Sequence, residues 1–220
     1  MKIKRVLLVE DETMFREFLT GWFEAEGYEI LGSVGTLKEA EALTVRREDL
    51  VVLDLDLPDG DGMSYVERQT QRDAGTRILV LTAHVGNHPV VRLKKSGIMG
   101  ALDKAETSGA ELRRALESIE SWRTYYSERI ELRFRQLIRE SSAFYKTLSP
   151  REEEMLKQFG LGYSNEAIAV GLGLSVATVQ GHRRNVMGKV GVRSTPELII
   201  WAIQNGFVRG PEIEREIAEA

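Results

Sequence analysis

The sequence of 220 residues contains no cysteine, so it can hold neither a disulfide framework nor a thiolate metal site. It has no uninterrupted apolar run near the roughly 20 residues that a bilayer-spanning helix needs. The apolar part of its first residues is too short for a signal peptide. These absences predict a cytoplasmic protein without a membrane partner. The net charge of −4 at pH 7 argues against non-specific nucleic-acid binding by the surface as a whole, so we expect any such binding to come from a local patch.

Glycine and proline are absent from residues 110–148, where apolar side chains form an approximate stripe of three- and four-residue steps among many Arg and Glu residues. This pattern allows two interpretations. A continuous helix would extend about 60 Å at 1.5 Å per residue, and it could form a dimer seam. Alternatively, the last helix of one domain ends here and a broken linker follows it. The apolar positions are Leu112, Leu116, Ile119, Tyr126, Ile130, Phe134 and Leu137.

Residues 1–120 alternate short apolar runs with amphipathic stretches, which is typical of an α/β domain. The runs "RVLLVE", "LVVLDL" and "RILVLT" are almost continuously apolar, as strands covered on both faces are. Together with "YEILGSV" and "MGALD" they make five strands, and helix-like segments lie between them. The sequence therefore predicts a five-stranded, doubly wound parallel sheet of the flavodoxin-like kind. In such a sheet the ligand binds at the carboxyl ends of the strands.

The C-terminal part predicts a separate all-α domain of four short helices. Ser149-Pro150-Arg151-Glu152 combines an N-cap serine, a first-turn proline and a capping-box glutamate. Ser164 and Ser175 are suited to cap two further helices, and Thr195-Pro196 a fourth. The last residues, 210–220, form an acidic tail that we expect to be weakly ordered.

Chemically useful side chains follow the predicted strands at the points where the strands end. The first strand ends in Glu10-Asp11, the third in Asp54 and the fourth in Thr82, and Lys104 follows the fifth. A parallel sheet brings these positions to one edge. Three carboxylates favour a hard divalent cation such as Mg²⁺, while a lysine and a hydroxyl beside them suit a phosphoryl group. The set meets the requirements for forming an acyl phosphate on an aspartate.

The Asp-x-Asp pattern of Asp54 and Asp56 also has other interpretations. In a calcium loop that began at Asp54, the fifth and twelfth positions would need oxygen ligands, but they are Pro58 and Tyr65. A phosphohydrolase of the haloacid-dehalogenase type would carry the motif near the start of its domain, with an acidic pair downstream. In this chain the acidic pair comes first. The two later aspartates of the same loop are best explained as loop and helix-cap residues.

In order and spacing, "LLVEDE", "VVLDLDLP", "VLTA" and "LDK" resemble the receiver domain of two-component response regulators over residues 1–120. The resemblance implies that Asp54 is the phosphoacceptor. It also implies that Mg²⁺ is held by Glu10, Asp11, Asp54 and the backbone carbonyl of Asp56. Thr82 would be the switching hydroxyl, and Lys104 would be the amine that pairs with the phosphoryl group.

The chain departs from the receiver pattern at one position. The family usually has Tyr or Phe three residues before the lysine, and this chain has Ala101 there. We therefore expect the output face to respond by another route, or less strongly. Asp56 and His84 lie two positions beyond Asp54 and Thr82, where side chains are expected to tune hydrolysis of the phosphoryl group. A lone histidine is, however, more often an exposed loop residue.

Residues 147–209 resemble the helix-turn-helix domain of the NarL/FixJ (LuxR-type) regulators, through "LSPREEEML", "GYSNEAIAVGLGLSVATVQGHRRNVMGKVGVRS" and "ELIIWAIQNG". Residues 121–146 would be a helical linker. By this resemblance the helix of residues 176–190 enters the major groove of double-stranded DNA. The residues expected to bind DNA are Thr178, Gln180, Gly181, His182, Arg183, Arg184, Lys189 and Arg193.

This second resemblance also has departures. Ala177 and Gln180 stand where family members commonly carry lysines, and Gly181 replaces a larger side chain. Two fewer cations should weaken the attraction to phosphates and flatten its salt dependence. Gln180 can pair with adenine, and Arg184 with guanine or a phosphate. The helix after Thr195 could supply core packing and also part of a dimer surface.

The predicted function is that of a response regulator. A sensor histidine kinase, or a small acyl phosphate, phosphorylates Asp54, and a homodimer then binds an operator with two half-sites. We expect no enzymatic role beyond Mg²⁺-dependent self-phosphorylation and slow self-dephosphorylation. The alternative, suggested by Ala101 and the missing cations, is a phosphorylation-insensitive DNA-binding or interaction protein.

Overall fold

The computed structural model describes residues 2–73, 75–83, 87–139 and 148–208. The chain divides into two compact units, residues 1–85 with 92–132 and residues 86–91 with 133–220. His84, residues 140–146 of the predicted linker and the predicted tail at 210–220 lie outside the described residues. Within the described ranges, no helix is both long enough and apolar enough to cross a membrane.

The strands of the first unit form a parallel sheet in the order β2-β1-β3-β6-β7-β8, apart from the short antiparallel hairpin of β4 and β5. Every neighbouring pair in the larger sheet is parallel. The predicted parallel α/β fold is thus confirmed. The strands are β1 (Arg5–Val9), β2 (Glu29–Val34), β3 (Leu50–Asp54), β4 (Asp56–Leu57), β5 (Gly60–Asp61), β6 (Arg77–Thr82), β7 (Gly100–Asp103) and β8 (Tyr125–Tyr126).

Helices connect the strands, as alternating apolar runs and amphipathic stretches predict. They are α1 (Thr13–Ala25), α2 (Leu37–Glu41), α3 (Gly62–Arg72), α4 (Asn87–Lys95), α5 (Gly109–Glu120) and α6 (Glu128–Arg139). Strands β3 and β6 are buried along their whole length. One hydrophobic core cluster of the first unit joins strand residues to α1 and α5, and includes Val6, Leu8, Leu19, Phe23, Val52, Leu79, Leu81, Leu112, Leu116 and Ile119.

The register of the central strands aligns their carboxyl ends. Asp54, the last residue of β3, is paired with Leu81, and Thr82 at the end of β6 is paired with Asp103 at the end of β7. The residues that follow β1, β3, β6 and β7 therefore leave the sheet at one edge. This edge carries the predicted site.

Gly62 makes the loop after β3 possible. A Cβ atom at Gly62 would lie 2.6 Å from the carbonyl oxygen of Asp54 and 2.8 Å from the Cα atom of Leu55. The backbone N–H of Gly62 donates to the carbonyl of Leu55 at 3.1 Å. Only glycine allows this close approach of α3 to the end of β3.

The two later aspartates of this loop bind helix N-termini, as expected of cap residues. Asp61 accepts a hydrogen bond from the backbone N–H of Met63 in the first turn of α3. Asp59 accepts from the backbone N–H groups of Leu37 and Lys38 at the start of α2, both at 2.8 Å.

Of the two interpretations of residues 110–148, the structure contradicts the continuous helix, because the chain leaves the helical conformation after Glu120. Helix α5 ends at Glu120, and Trp122 adopts a φ of +56°, the one positive φ of a non-glycine residue in the described ranges. The backbone N–H of Arg123 donates to the carbonyl oxygen of Ser118, and the backbone N–H of Trp122 donates to the carbonyl oxygen of Ile119. These two hydrogen bonds form the Schellman motif. The continuous-helix interpretation is therefore wrong, and the broken-linker interpretation fits.

After this turn the chain forms β8, a strand that the five-strand prediction missed. Two residues are too few to show the alternation by which a strand is recognised. Residues 121–132 are grouped with the first unit, so the predicted linker at 121–146 is divided between the units.

The described part of the second unit includes a helical domain, consistent with the all-α prediction. Its helices are α7 (Pro150–Gly160), α8 (Asn165–Leu172), α9 (Val176–Val190) and α10 (Thr195–Gln204). Ser149, Ser164 and Ser175 cap the first three as predicted, with a complete capping box at α7. The cap of α10 is Ser194 instead of Thr195. The buried residues include Met155, Phe159, Ile168, Val179, Val186, Leu198 and Ala202.

Candidate functional site

An acidic cluster lies at the carboxyl edge of the sheet. Each of Glu10, Asp11 and Asp54 offers a carboxylate oxygen, and these oxygens lie within 4.8 Å of one another. Glu10 and Asp54 are buried, whereas Asp11 is exposed. The cluster arises because β1 and β3 are neighbours in the sheet and end at the same level. Such a set of oxygen donors can hold a divalent cation.

Lys104 joins the cluster from the end of β7. Its Nζ atom lies 2.8 Å from both carboxylate oxygens of Glu10 and 2.8 Å from Oδ2 of Asp54. It also lies 5.2 Å from the centroid of the Phe15 ring. The other carboxylate oxygen of Asp54 accepts a hydrogen bond from the backbone N–H of Asp56 at 3.1 Å. Both oxygens of Asp54 are therefore oriented by fixed donors.

The electrostatics of the cluster follow from burial and mutual repulsion. Burial, together with the charge of Asp54, raises the pKa of Glu10 to about 7, although the hydrogen bond from Lys104 opposes the rise. Burial also raises the pKa of Asp54, and Lys104 again opposes it. For Lys104, burial disfavours the charge, but Asp54 and Glu10 outweigh this effect and leave its pKa raised. The cluster thus holds more negative charge than one ammonium offsets.

Arg16 is a member of this site that the sequence did not single out. Its Nη1 atom donates to the backbone carbonyl of Glu10 at 2.6 Å and to that of Asp11 at 3.2 Å. It therefore fixes the loop between β1 and α1 that carries both carboxylates. Nothing in the residue pattern distinguishes Arg16 from other polar residues of an amphipathic helix.

The remaining predicted residues of the first unit have varied locations. Thr82 is buried at the end of β6, beside Asp103 in the register, and Asp56 is half-buried at the start of β4. Ala101 is wholly buried in β7, between Val80 of β6 and Tyr126 of β8. Their proposed roles remain predictions, as does that of His84.

Helix α9 presents a narrow polar face to solvent. Gln180 and Arg184 are exposed and four residues apart, so they lie on the same side of the helix. Ala177, Gly181 and Gly188 share this side at helical spacing. An added Cβ atom at either glycine would meet nothing within 4 Å. The face therefore carries two long polar side chains flanked by small residues.

Arg183 differs from its neighbour, although both were predicted to bind DNA. Its guanidinium carbon lies 4.3 Å from the centroid of the Phe159 ring, and its nitrogens donate to the backbone carbonyl of Tyr163 and the hydroxyl of Thr195. Burial lowers the pKa of Arg183. The side chain thus ties α9 to the other helices of its domain. Its charge is engaged within the fold.

The other predicted DNA-binding residues also differ in exposure and in their contacts. Thr178 and Arg193 are exposed, and His182 is half-buried. Lys189 is partly exposed, and its ammonium lies 2.7 Å from Oε2 of Glu152, the capping-box residue of α7. The surface of α9 available to a partner is therefore smaller than the predicted set.

Residues 6–117 match the response regulator receiver domain, and residues 146–202 match the luxR family of bacterial regulatory proteins. The receiver match covers about half of the chain, and the chain belongs to the response regulators, within which it carries a LuxR-type DNA-binding domain.

The similar proteins agree with this assignment along nearly the whole chain. The response regulator protein VraR of Staphylococcus aureus (strain COL) is 25% identical over 207 residues, which cover 93% of this chain and 99% of VraR. VraR of Staphylococcus saprophyticus is 24% identical over the same shares. Among solved structures, RcsB from Salmonella enterica serovar Typhimurium, bound to a promoter with the phosphomimetic BeF₃⁻, has a TM-score of 0.59 at 22% identity. The match covers 90% of this chain and 97% of the RcsB chain. It shows that the two proteins share a fold.

Proposed function

We propose that Asp54 accepts a phosphoryl group and that this group controls DNA binding by the LuxR-type domain. The observation that carries the proposal is the ammonium of Lys104, held 2.8 Å from Asp54 within a cluster of carboxylates. Asp54 is buried, and each of its carboxylate oxygens accepts a hydrogen bond from a fixed donor. A nucleophile that is already oriented needs less reorganisation before it reacts.

The donor set of the cluster fits Mg²⁺. Glu10, Asp11, Asp54 and the backbone carbonyl of Asp56 would hold the ion, since all are oxygen ligands. The position of the donors supports this fit, because three carboxylates lie within 4.8 Å of one another and two of them, Glu10 and Asp54, are buried. When bound, Mg²⁺ would neutralise charge on the phosphoryl oxygens.

The chain's own residues would carry out the transfer. An oxygen of Asp54 attacks the phosphorus of the donor, and the bond from phosphorus to the donor's nitrogen or oxygen breaks. Lys104 then pairs with one phosphoryl oxygen, and the hydroxyl of Thr82 donates to another. The donor is a sensor histidine kinase or a small acyl phosphate. No turnover is proposed beyond self-phosphorylation and a slow hydrolysis that Asp56 and His84 tune.

The face of α9 that carries Gln180 and Arg184 would read the major groove of DNA. Gln180 is suited to adenine, and Arg184 to guanine or a phosphate. Exposed Thr178 and Arg193 would add contacts to the DNA backbone. Two copies would bind two half-sites. A solved structure with a similar fold contains two RcsB dimers bound to two parallel DNAs. We place this activity in the cytoplasm, where DNA and a kinase domain are both available.

The phosphorylation part is tested by a phosphate-affinity gel with a small acyl phosphate and Mg²⁺. We expect a slower band for the wild type and none for Asp54→Asn. Asp59→Asn is the matched control, since Asp59 binds the N-terminus of α2 in the same loop and should leave the band in place. Absence of a slower band from the wild type with every phosphodonor would contradict this part.

The DNA part is tested by selecting bound sequences from a random pool of duplexes, with and without beryllofluoride. We expect a sequence with two half-sites to be enriched, and to bind more tightly when beryllofluoride and Mg²⁺ are present. If no sequence is enriched in either condition, the chain is not a sequence-specific DNA-binding protein.

A constitutive DNA-binding protein is the second candidate. The specific observation is Ala101, a buried alanine at the position where receivers usually carry an aromatic residue. Equal operator affinity for the wild type, the beryllofluoride-loaded protein and Asp54→Asn would favour this candidate.

A further inference from the structure

Residues 125–131 begin with the edge strand of the receiver sheet, β8, which pairs in parallel with β7, and we call them the strap. They comprise β8 and the start of α6, and they follow the last helix that packs on the sheet core. The backbone N–H of Tyr125 donates to Met99 at 2.9 Å, and that of Ser127 donates to Ala101 at 3.0 Å. Gly100 allows this pairing, because a Cβ atom there would lie 2.8 Å from the carbonyl oxygen of Tyr125.

The strap is also bound to Asp103, the residue before Lys104. The hydroxyl oxygen of Ser127 accepts a hydrogen bond from the backbone N–H of Asp103 at 3.2 Å. Arg129 donates to one carboxylate oxygen of Asp103 at 2.7 Å, and the backbone N–H of Ala105 donates to the other at 2.9 Å. Asp103 is fully buried. Its carboxylate therefore connects the strap to the turn that starts at Lys104.

A third contact holds the strap to α4. Tyr126 is in register with Ala101, so their side chains lie on the same face of the parallel pair. The ammonium of Lys94 lies 3.4 Å from the centroid of the Tyr126 ring and forms an ion pair with Glu131. A large side chain at residue 101 would crowd the Tyr126 ring, and alanine avoids this conflict.

We propose that Ser127 and Arg129 are positioning residues for Lys104, acting through Asp103, and that strap attachment and phosphoryl binding at Asp54 strengthen each other. The inference rests on the proposed phosphorylation of Asp54. By holding Asp103 from the strap side, Ser127 and Arg129 order the backbone from which Lys104 reaches Asp54. A phosphoryl analogue then binds to a lysine that is already ordered, so less conformational entropy is lost. Linkage requires the reverse effect: the bound analogue orders the strap.

This coupling gives the phosphoryl group a route to α6 that does not need an aromatic side chain at residue 101. The route runs from Asp54 to Lys104, then through the backbone to Asp103, and from there to Arg129 in the first turn of α6. Each step is a covalent bond or a hydrogen bond of 2.8 Å or less.

The test compares full-length wild type with Arg129→Gln, Arg129→Lys and Arg133→Gln. Arg133 is the matched control, since its guanidinium donates to Gln136 in the same helix. With Mg²⁺ in excess, we expect Arg129→Gln to weaken the apparent affinity for beryllofluoride by about fivefold or more, which is the usual lower range for coupled sites. Arg129→Lys should recover most of this loss, and Arg133→Gln should match the wild type.

Hydrogen exchange of the strap supplies a readout that a purely structural role would not change. In the wild type, beryllofluoride should slow exchange of the Tyr125 and Ser127 amides, and in Arg129→Gln this slowing should be smaller. Unchanged or faster exchange in the loaded wild type, or equal beryllofluoride affinity in Arg129→Gln, overturns the inference. A wild type that takes up no beryllofluoride while remaining folded overturns the proposed phosphorylation itself.

Discussion

The guanidinium of Arg183 lies against the ring of Phe159, whereas the side chain of the next residue, Arg184, is exposed. These adjacent arginines of α9 therefore differ in role. Arg183 holds α9 in its domain, and Arg184 is free to reach a partner. The difference separates effects on DNA affinity from effects on stability.

Substituting the two arginines should affect different properties, DNA affinity in one case and stability in the other. Arg184→Ala should weaken binding to the selected DNA by about 1–3 kcal/mol without lowering the melting temperature, because it removes a side chain that contacts solvent. Arg183→Ala should lower the melting temperature, because its contacts with Phe159, Tyr163 and Thr195 are lost. DNA titration and thermal unfolding of both variants measure this. Equal behaviour of the two variants would contradict the assignment.

Replacing Gly62 or Gly181 by alanine should change the stability of the protein in opposite directions. Gly62→Ala should destabilise the receiver strongly and disturb phosphorylation, since the added methyl would overlap the backbone of Asp54 and Leu55. Gly181→Ala should stabilise α9 by about 0.5–1 kcal/mol, because Gly181 is in a helix interior with open space around it. Denaturant unfolding of each variant gives the two values. A neutral Gly62→Ala would show that α3 can move away from β3.

Glu152 should give the LuxR-type domain a pH-dependent stability. Although burial opposes ionisation, hydrogen bonds from Lys189 and Ser149 lower the pKa of Glu152 from 4.5 to about 2. A carboxylate with a lowered pKa stabilises the fold above its unfolded pKa, so this contribution is present above about pH 4.5 and is lost as the pH falls toward 2.

Glu152→Gln should therefore destabilise the domain at pH 7 by about 1–2 kcal/mol, in the range of a lost helix cap. The difference from the wild type should shrink as the pH falls toward 2. Thermal unfolding across this pH range is the measurement, and Glu153→Gln, its neighbour in α7, is the control. A difference that is the same at all pH values would exclude titration of Glu152 as the cause.

The positive φ of Trp122 predicts which of two substitutions at this position gives the more stable protein. Trp122→Ala should destabilise the receiver because it removes the ring that lies 4.7 Å from the guanidinium carbon of Arg77. Trp122→Gly removes the same ring and also relieves the backbone, so it should be about 1 kcal/mol more stable than the alanine variant. Chemical denaturation of both proteins tests the order. The reverse order would indicate that the turn does not keep this conformation in solution.

Most of the fold could be predicted from the sequence because its central strands and its helix starts have clear local signals. The buried strands β3 and β6 are continuous apolar runs, and the helix caps at Ser149, Ser164 and Ser175 are explicit. Strand β8 could not be predicted, since its two residues are too few to show the alternation of a strand. Its pairing depends on Gly100, which is distant in sequence.

The residues of the candidate site could likewise be predicted only in part. Glu10, Asp11, Asp54 and Lys104 could be identified because parallel strands end together, which is a rule of topology. The inward orientation of Arg183 could not, because the charge pattern of α9 does not show which arginine has an aromatic ring and two oxygen acceptors within reach. Arg16 was missed for a similar reason: its partners are backbone carbonyls, which have no signature in the sequence.

The pairing of β8 with β7 has a consequence for recombination between regulators. A fragment that ended at residue 120 would leave β7 with unpaired backbone groups along an open margin, which invites association between chains. We expect such a fragment to form larger species in size-exclusion chromatography than one ending at residue 132. Exchange of receiver modules, by evolution or by engineering, should therefore succeed when the crossover lies beyond the strap and fail when it falls at the end of α5.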